Sequence, residues 1–276
     1  MIDLNKYREN IYQNSGLREC PHYGEDGVIL KIFSEIGVGE QPYVIEFGES
    51  RSLGTTTRSF RLKYKAGAFY FSERLSLKTR LLNILDVFKV VGNTGQLGYL
   101  KFLNDLPFEA FCTPENIVDL LSRAQTRKID ILTIDIDSYD YFVAERFLTE
   151  GLHPSLLILE YNWNLPLQPP LSYPYPCEVK KAARNKRVFG ANYTAMASLA
   201  ERFEYRLVHI SGFCNLFFVK KWHAEKFLAP NADSEIPTSD EDCVRFADLC
   251  CQKGFRPSWF GERPIKPEDI ADFIEI

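Results

Sequence analysis

Ile131-Leu132-Thr133-Ile134-Asp135-Ile136-Asp137-Ser138-Tyr139-Asp140-Tyr141 decides how this chain is read. Four apolar or β-branched residues are followed at once by three spaced acids. Such a run reads as a buried parallel strand that delivers charge at its C-terminal end. One βα unit later, Leu156 to Leu159 ends in Glu160-Tyr161-Asn162. Earlier, Tyr43-Val44-Ile45-Glu46-Phe47 brings an acid to a third strand end. Open α/β sheets bind ligands beyond the carboxyl ends of their strands, so acids gathered there describe a site.

The rest of the chain supplies the alternation such a sheet needs. Val28, Ile29, Ile32, Phe33 and Ile36 fall at helical spacing before the first strand. A helix is expected over 56–65, a strand over 68–73, a helix over 75–86 and a third strand over Val87–Val91. Thr113 and Pro114 open a further helix as N-cap and first helical residue. Helices over 139–148 and 191–202 flank the fifth strand. Tyr205–Ile210 and Leu216–Lys220, joined by a short turn, read as an antiparallel hairpin. The pattern predicts an α/β fold: a doubly wound Rossmann-like sheet, mostly parallel with an antiparallel last strand. That is the architecture of the Rossmann-like methyltransferases. Residues 1–223 form the expected domain, and 224–276, with a helix over Asp240–Gln252, a cap on it. Between them, Asn164 to Cys177 holds five prolines and is expected to be irregular: a lid, a binding loop or a linker.

Composition narrows the function classes. The 276 residues carry a net charge of −4, which gives no general case for nucleic-acid binding. Lys180 to Arg187 is a basic exception, either a solvated face or a patch for an anionic substrate. Seven cysteines, an odd number without a Cys-x-x-Cys pair, point to reduced thiols and a cytoplasmic setting. No apolar run is long enough to span a membrane. The first strand is followed by Gly48-Glu49-Ser50-Arg51-Ser52-Leu53-Gly54 rather than Gly-x-Gly-x-x-Gly. This turn suits a ligand without a pyrophosphate and disfavours a dinucleotide dehydrogenase.

Six collinear segments carry a resemblance: Tyr23-Gly-Glu-Asp-Gly-Val28, Val44-Ile-Glu-Phe-Gly48, Ile134-Asp-Ile-Asp-Ser-Tyr-Asp-Tyr141, Leu159-Glu-Tyr-Asn162, Phe189-Gly-Ala191 and Asn215-Leu-Phe-Phe-Val219. Together they resemble the FkbM-type S-adenosylmethionine-dependent methyltransferases, in the branch whose fourth strand reads S-I-D-I-D-G-N-D-Y. The family methylates hydroxyl groups, often on sugars, polysaccharides or macrolide-type natural products. The chain departs from it at Ser138, where the family often has glycine, and from Ser50-Arg51 onward in the first loop.

The resemblance implies S-adenosylmethionine as cofactor and a small molecule or glycan as substrate. Gly48 lets the backbone come close to the ligand. Glu46 and Ser50 are candidates for its amino-acid part; the alternative for Glu46 is a helix-capping or salt-bridged acid. Glu73, at the end of the second strand, is placed for the ribose diol, or is an ordinary exposed strand-end acid. Thr56 either contacts cofactor or caps the next helix. Asp135 belongs to the cofactor set, and Asp137 lies where the acceptor is expected. Asp137, Glu160 and Asn162 offer oxygens for a hard cation such as Mg²⁺, which would lower an acceptor hydroxyl's pKa. Without a metal, the aspartates bind cofactor and backbone amides instead. His209 is the best-placed histidine base, or else a satisfied sheet histidine. Tyr141, Tyr161 and Trp163 are either walls for a ring or core aromatics.

Overall fold

The structure is a computed structural model that describes residues 25–48, 55–73, 76–103, 107–122, 128–162, 164–166, 168–176, 188–211, 215–227 and 270–276. It is α/β, and its seven-stranded, mostly parallel sheet ends in antiparallel strands, as the alternation predicts for a Rossmann-like fold. The described residues fall into two compact units, one built from 25–135 and 146–155, the other from 136–145, 156–227 and 270–276.

The first unit opens with α1 (Glu25–Ile36) and β1 (Tyr43–Phe47). Next come α2 (Arg58–Tyr64), β2 (Gly67–Ser72), α3 (Leu77–Thr94) and a 3₁₀ turn over Leu97–Leu103. β3 (Phe108–Glu109), α4 (Ile117–Ser122) and β4 (Ile131–Ile134) complete it. Its strands lie in the order β3-β2-β1-β4, every neighbouring pair parallel. Phe47 and Phe71, partners in the β1–β2 register, stack with ring centroids 4.7 Å apart.

The expected strand at Val87–Val91 is not a strand. These residues continue α3, which runs to Thr94 and stops at Gly95 with φ +68°. Its β-branched run looks strand-like locally, but tertiary packing overrides so weak a preference. Val87 is buried with Tyr99 and Phe102, and Val90 and Val91 pack on the same cluster. Ser76 caps the helix by accepting the N–H of Thr79 at 3.0 Å. The third strand is β3, too short to stand out as a pattern.

The helix α5 (Asp140–Thr149) follows β4. The second unit holds β5 (Leu156–Glu160), β6 (Leu171–Ser172), α6 (Tyr193–Arg202), β7 (Tyr205–Ser211), β8 (Asn215–Lys220), α7 (Lys221–Ala224) and β9 (Ile274–Glu275). The hairpin pairs as expected, and β8 lies antiparallel between β5 and β7. Every residue of β5 and β8 is buried.

The proline-rich segment departs from expectation. It contains β6, which pairs antiparallel with β9. Leu165, Leu171, Tyr173, Val188 and Phe273 form a small core of their own. Asn192, the N-cap of α6, donates to the carbonyls of Pro166 and Pro169 and accepts the N–H of Leu171. A segment held by main-chain pairing, a side-chain clamp and a core is not a mobile lid. Prolines are tolerated because a two-residue edge pairing asks little of the backbone N–H groups. The expected helix at 240–252 and the basic stretch 180–187 lie outside the described residues. Among the described residues, no helix is long and apolar enough to cross a membrane.

Candidate functional site

In the first unit, the acid at the end of β1 is bound into the fold. Glu46 is 2% exposed. One carboxylate oxygen accepts the N–H of Thr56 at 3.0 Å, the other the hydroxyl of Thr57 at 2.6 Å. Thr56 in turn donates to Glu25 at 3.2 Å. The backbone therefore returns from the first loop onto a carboxylate anchor, just before α2 begins. Beneath it lie Tyr70 and the fully buried Arg61, whose guanidinium donates to the Tyr70 hydroxyl and rests 4.1 Å from the centre of the Phe102 ring. Burial raises the Tyr70 phenol far above its usual range, against the pull of Arg61.

Two members of the expected cofactor set sit at the open end of this unit. Gly48 has φ +105°, a conformation that a side chain would strain, and its N–H donates to Phe71 at 2.9 Å. Glu73 follows β2 directly and is exposed. β1 and β2 are parallel neighbours with Phe47 opposite Phe71, so Gly48 and Glu73 lie beyond the same strand ends. That suits a ligand pressed on glycine backbone and held by a carboxylate through a diol. Ser50 lies outside the described residues.

In the second unit, the turn after β4 is folded around Asp140. This residue is fully buried, and its two oxygens accept the N–H groups of Ile136 at 2.8 Å and Ser138 at 3.0 Å. Desolvation pushes its pKa up to about 6; the two amide bonds oppose the shift and the nearby Asp137 adds to it. With the amides on both sides of it turned inward, Asp137 takes φ +53° and is exposed. Asp is among the few residues that accept this left-handed conformation at modest cost. The Ser138 carbonyl accepts the N–H of Gly190 at 2.6 Å, and Gly190 itself has φ +58°. Asp140 stands in the motif, yet its role was not legible: nothing in a strand-end pattern says which acid faces inward.

Glu160, the last residue of β5, is buried. One carboxylate oxygen of Asp137 lies within 4.8 Å of one of Glu160. Ligand oxygens around Mg²⁺ stand about 3–4 Å apart for bonds of 2.0–2.1 Å, so small side-chain rotations would bring the carboxylates to that spacing. Asn162 is placed differently. Its amide N–H₂ donates to Phe189 at 2.9 Å, and its carbonyl oxygen accepts from both the backbone and the side chain of Asn164. Ligation by Asn162 would have to displace those bonds, which leaves the carboxylates as the oxygen donors at hand.

His209 lies in β7, opposite Phe217, with the two rings edge to face at 5.4 Å. It is 1% exposed, and burial pushes its pKa down to about 3. An imidazole so placed stays neutral at ordinary pH and is a weak base. Tyr141 and Tyr161 are both buried. Trp163 lies outside the described residues. No known protein family matches the sequence, and no curated protein is significantly similar to it.

Proposed function

We propose that the chain is an S-adenosylmethionine-dependent O-methyltransferase acting on a hydroxyl of a sugar, polysaccharide precursor or natural product. The observation that carries the reading is the pair of strand-end carboxylates, Asp137 and Glu160, in a unit whose strand β8 runs antiparallel between β5 and β7. Fold alone does not imply function, so the weight rests on these side chains and the motifs that contain them. The exposed Glu73 beside Gly48 supports the same reading from the first unit.

The bound cofactor would supply a methyl group already activated by a sulfonium. Gly48 and Glu73 would seat it, through backbone approach and through hydrogen bonds to a diol. Asp137, projected outward by its turn, would orient the acceptor hydroxyl and take up its proton as the oxygen attacks. Alignment would contribute most of the rate, and the base a further ~10²–10⁴-fold. With Glu160, Asp137 would also hold a divalent cation, whose chemistry is to lower the pKa of a bound hydroxyl. The proposed setting is cytoplasmic, in keeping with the buried free thiol of Cys112.

One observation favours a second reading, a Rossmann-like domain that binds a glycan or a biosynthetic partner without catalysis. The histidine best placed as a base in sequence is buried, and with its pKa pushed down to about 3 it is a weak base. Calorimetric titration with S-adenosylmethionine, with and without Mg²⁺, separates the two. Saturable binding that weakens about tenfold or more in Glu73→Ala is expected. No heat of binding by the wild-type protein at millimolar cofactor would sink the methyltransferase reading.

A further inference from the structure

The helix α3 carries an exposed apolar face. Leu77 is 81% exposed, Leu81 and Leu85 59% each, and Phe88 53%. At 100° per residue, these four positions fall within an arc of about 80° along the helix. The opposite side is the packed one, with Val87 and Asn83 buried. The 3₁₀ turn that follows repeats the division: Tyr99 and Phe102 point into the core with Val87, while Leu97 and Leu100 are exposed. Single exposed leucines are ordinary, but a continuous stripe of large apolar side chains on a helix marks an interaction surface.

The charges beside the stripe select its partner. Lys78 and Lys89 lie along one edge, both exposed, and among the described residues neither pairs with an acid. Arg80 lies along the other edge and reaches Glu109 at 3.2 Å. Asp86 is the helix's one acid and sits away from the stripe. The chain as a whole is acidic, with a net charge of −4, so this cationic edge is a local feature. Leucine and phenylalanine on one face with lysines at its margin describe a helix that lies in a membrane interface rather than crossing it.

We infer that α3 docks this protein on an anionic lipid surface, with Leu77, Leu81, Leu85 and Phe88 entering the headgroup region and Lys78 and Lys89 meeting lipid phosphates. A second copy of the chain would also cover an apolar stripe. It would, however, set Lys78 and Lys89 against the same charges on its partner, which opposes that arrangement. The inference is independent of the chemistry proposed above.

Co-sedimentation with vesicles tests it. Vesicles of phosphatidylcholine with phosphatidylglycerol are expected to bind the protein at least tenfold more tightly than phosphatidylcholine alone. High salt should reverse most of that difference, since interfacial charges are screened. Leu81→Gln with Phe88→Gln should abolish binding, and Lys78→Glu with Lys89→Glu should weaken it tenfold or more. Because these side chains are exposed, the variants should keep their circular dichroism. No binding to anionic vesicles, or equal binding by the variants, overturns the inference. So does a dimer in light scattering that the Leu81→Gln/Phe88→Gln variant dissociates, since the stripe's partner is then a second copy.

Discussion

The turn after β1 and the turn after β4 begin alike, with an apolar strand ending in acid, and end differently. Glu46 is buried with both oxygens accepting hydrogen bonds from Thr56 and Thr57. Asp137 is exposed at φ +53°, and the inward role in its turn is filled by Asp140. A strand-end carboxylate thus either closes its own loop or is left exposed. Which it does depends on where the neighbouring N–H groups point. His209 falls on the buried side of the same division.

The largest expected effect concerns His209. Its folded pKa of about 3 lies below the ordinary value near 6.5, so the stability of the neutral, buried form is fully present above pH 6.5. It is lost as pH falls toward 3, by about 5 kcal/mol in all. Urea unfolding of the wild type and of His209→Phe between pH 7 and 4 should show a shallower acid loss in the variant. Equal slopes would mean that His209 titrates normally and is open to solvent, and would return it to the set of candidate bases.

Next comes Glu46. Glu46→Ala removes a buried acceptor and strands the donors of Thr56 and Thr57, at a cost of about 3 kcal/mol. Chemical denaturation measures it. A cost below about 0.5 kcal/mol would break the comparison, because Glu46 would then not be closing its loop. The smallest effect belongs to Asp137. Asp137→Asn keeps a residue that tolerates positive φ at an exposed site, so stability should move by no more than about 0.5 kcal/mol. Titration with Mg²⁺ should nonetheless lose affinity by tenfold or more. A stability loss near that of Glu46→Ala would show that Asp137 serves the fold instead.

The sequence by itself determined the elements with strong period or clear punctuation. β1, β4 and β5 are short apolar runs, and the hairpin β7–β8 is two such runs joined by a brief turn. Thr113 reads as a cap, and it does accept the N–H of Asn116 at 3.3 Å, although the helix begins at Ile117 rather than at Pro114. The acids at the strand ends were equally visible as residue types. Tertiary structure decided which of them are consumed, by turning each loop back on its acid: Glu46 accepts from Thr56 and Thr57, and Asp140 from Ile136 and Ser138. It also turned Val87–Val91 into helix by offering Tyr99 and Phe102 as packing partners. It tied the proline-rich segment down by pairing Leu171–Ser172 with Ile274–Glu275. Local pattern reports what a segment prefers; burial and donor geometry, supplied from far along the chain, settle what each polar group is for.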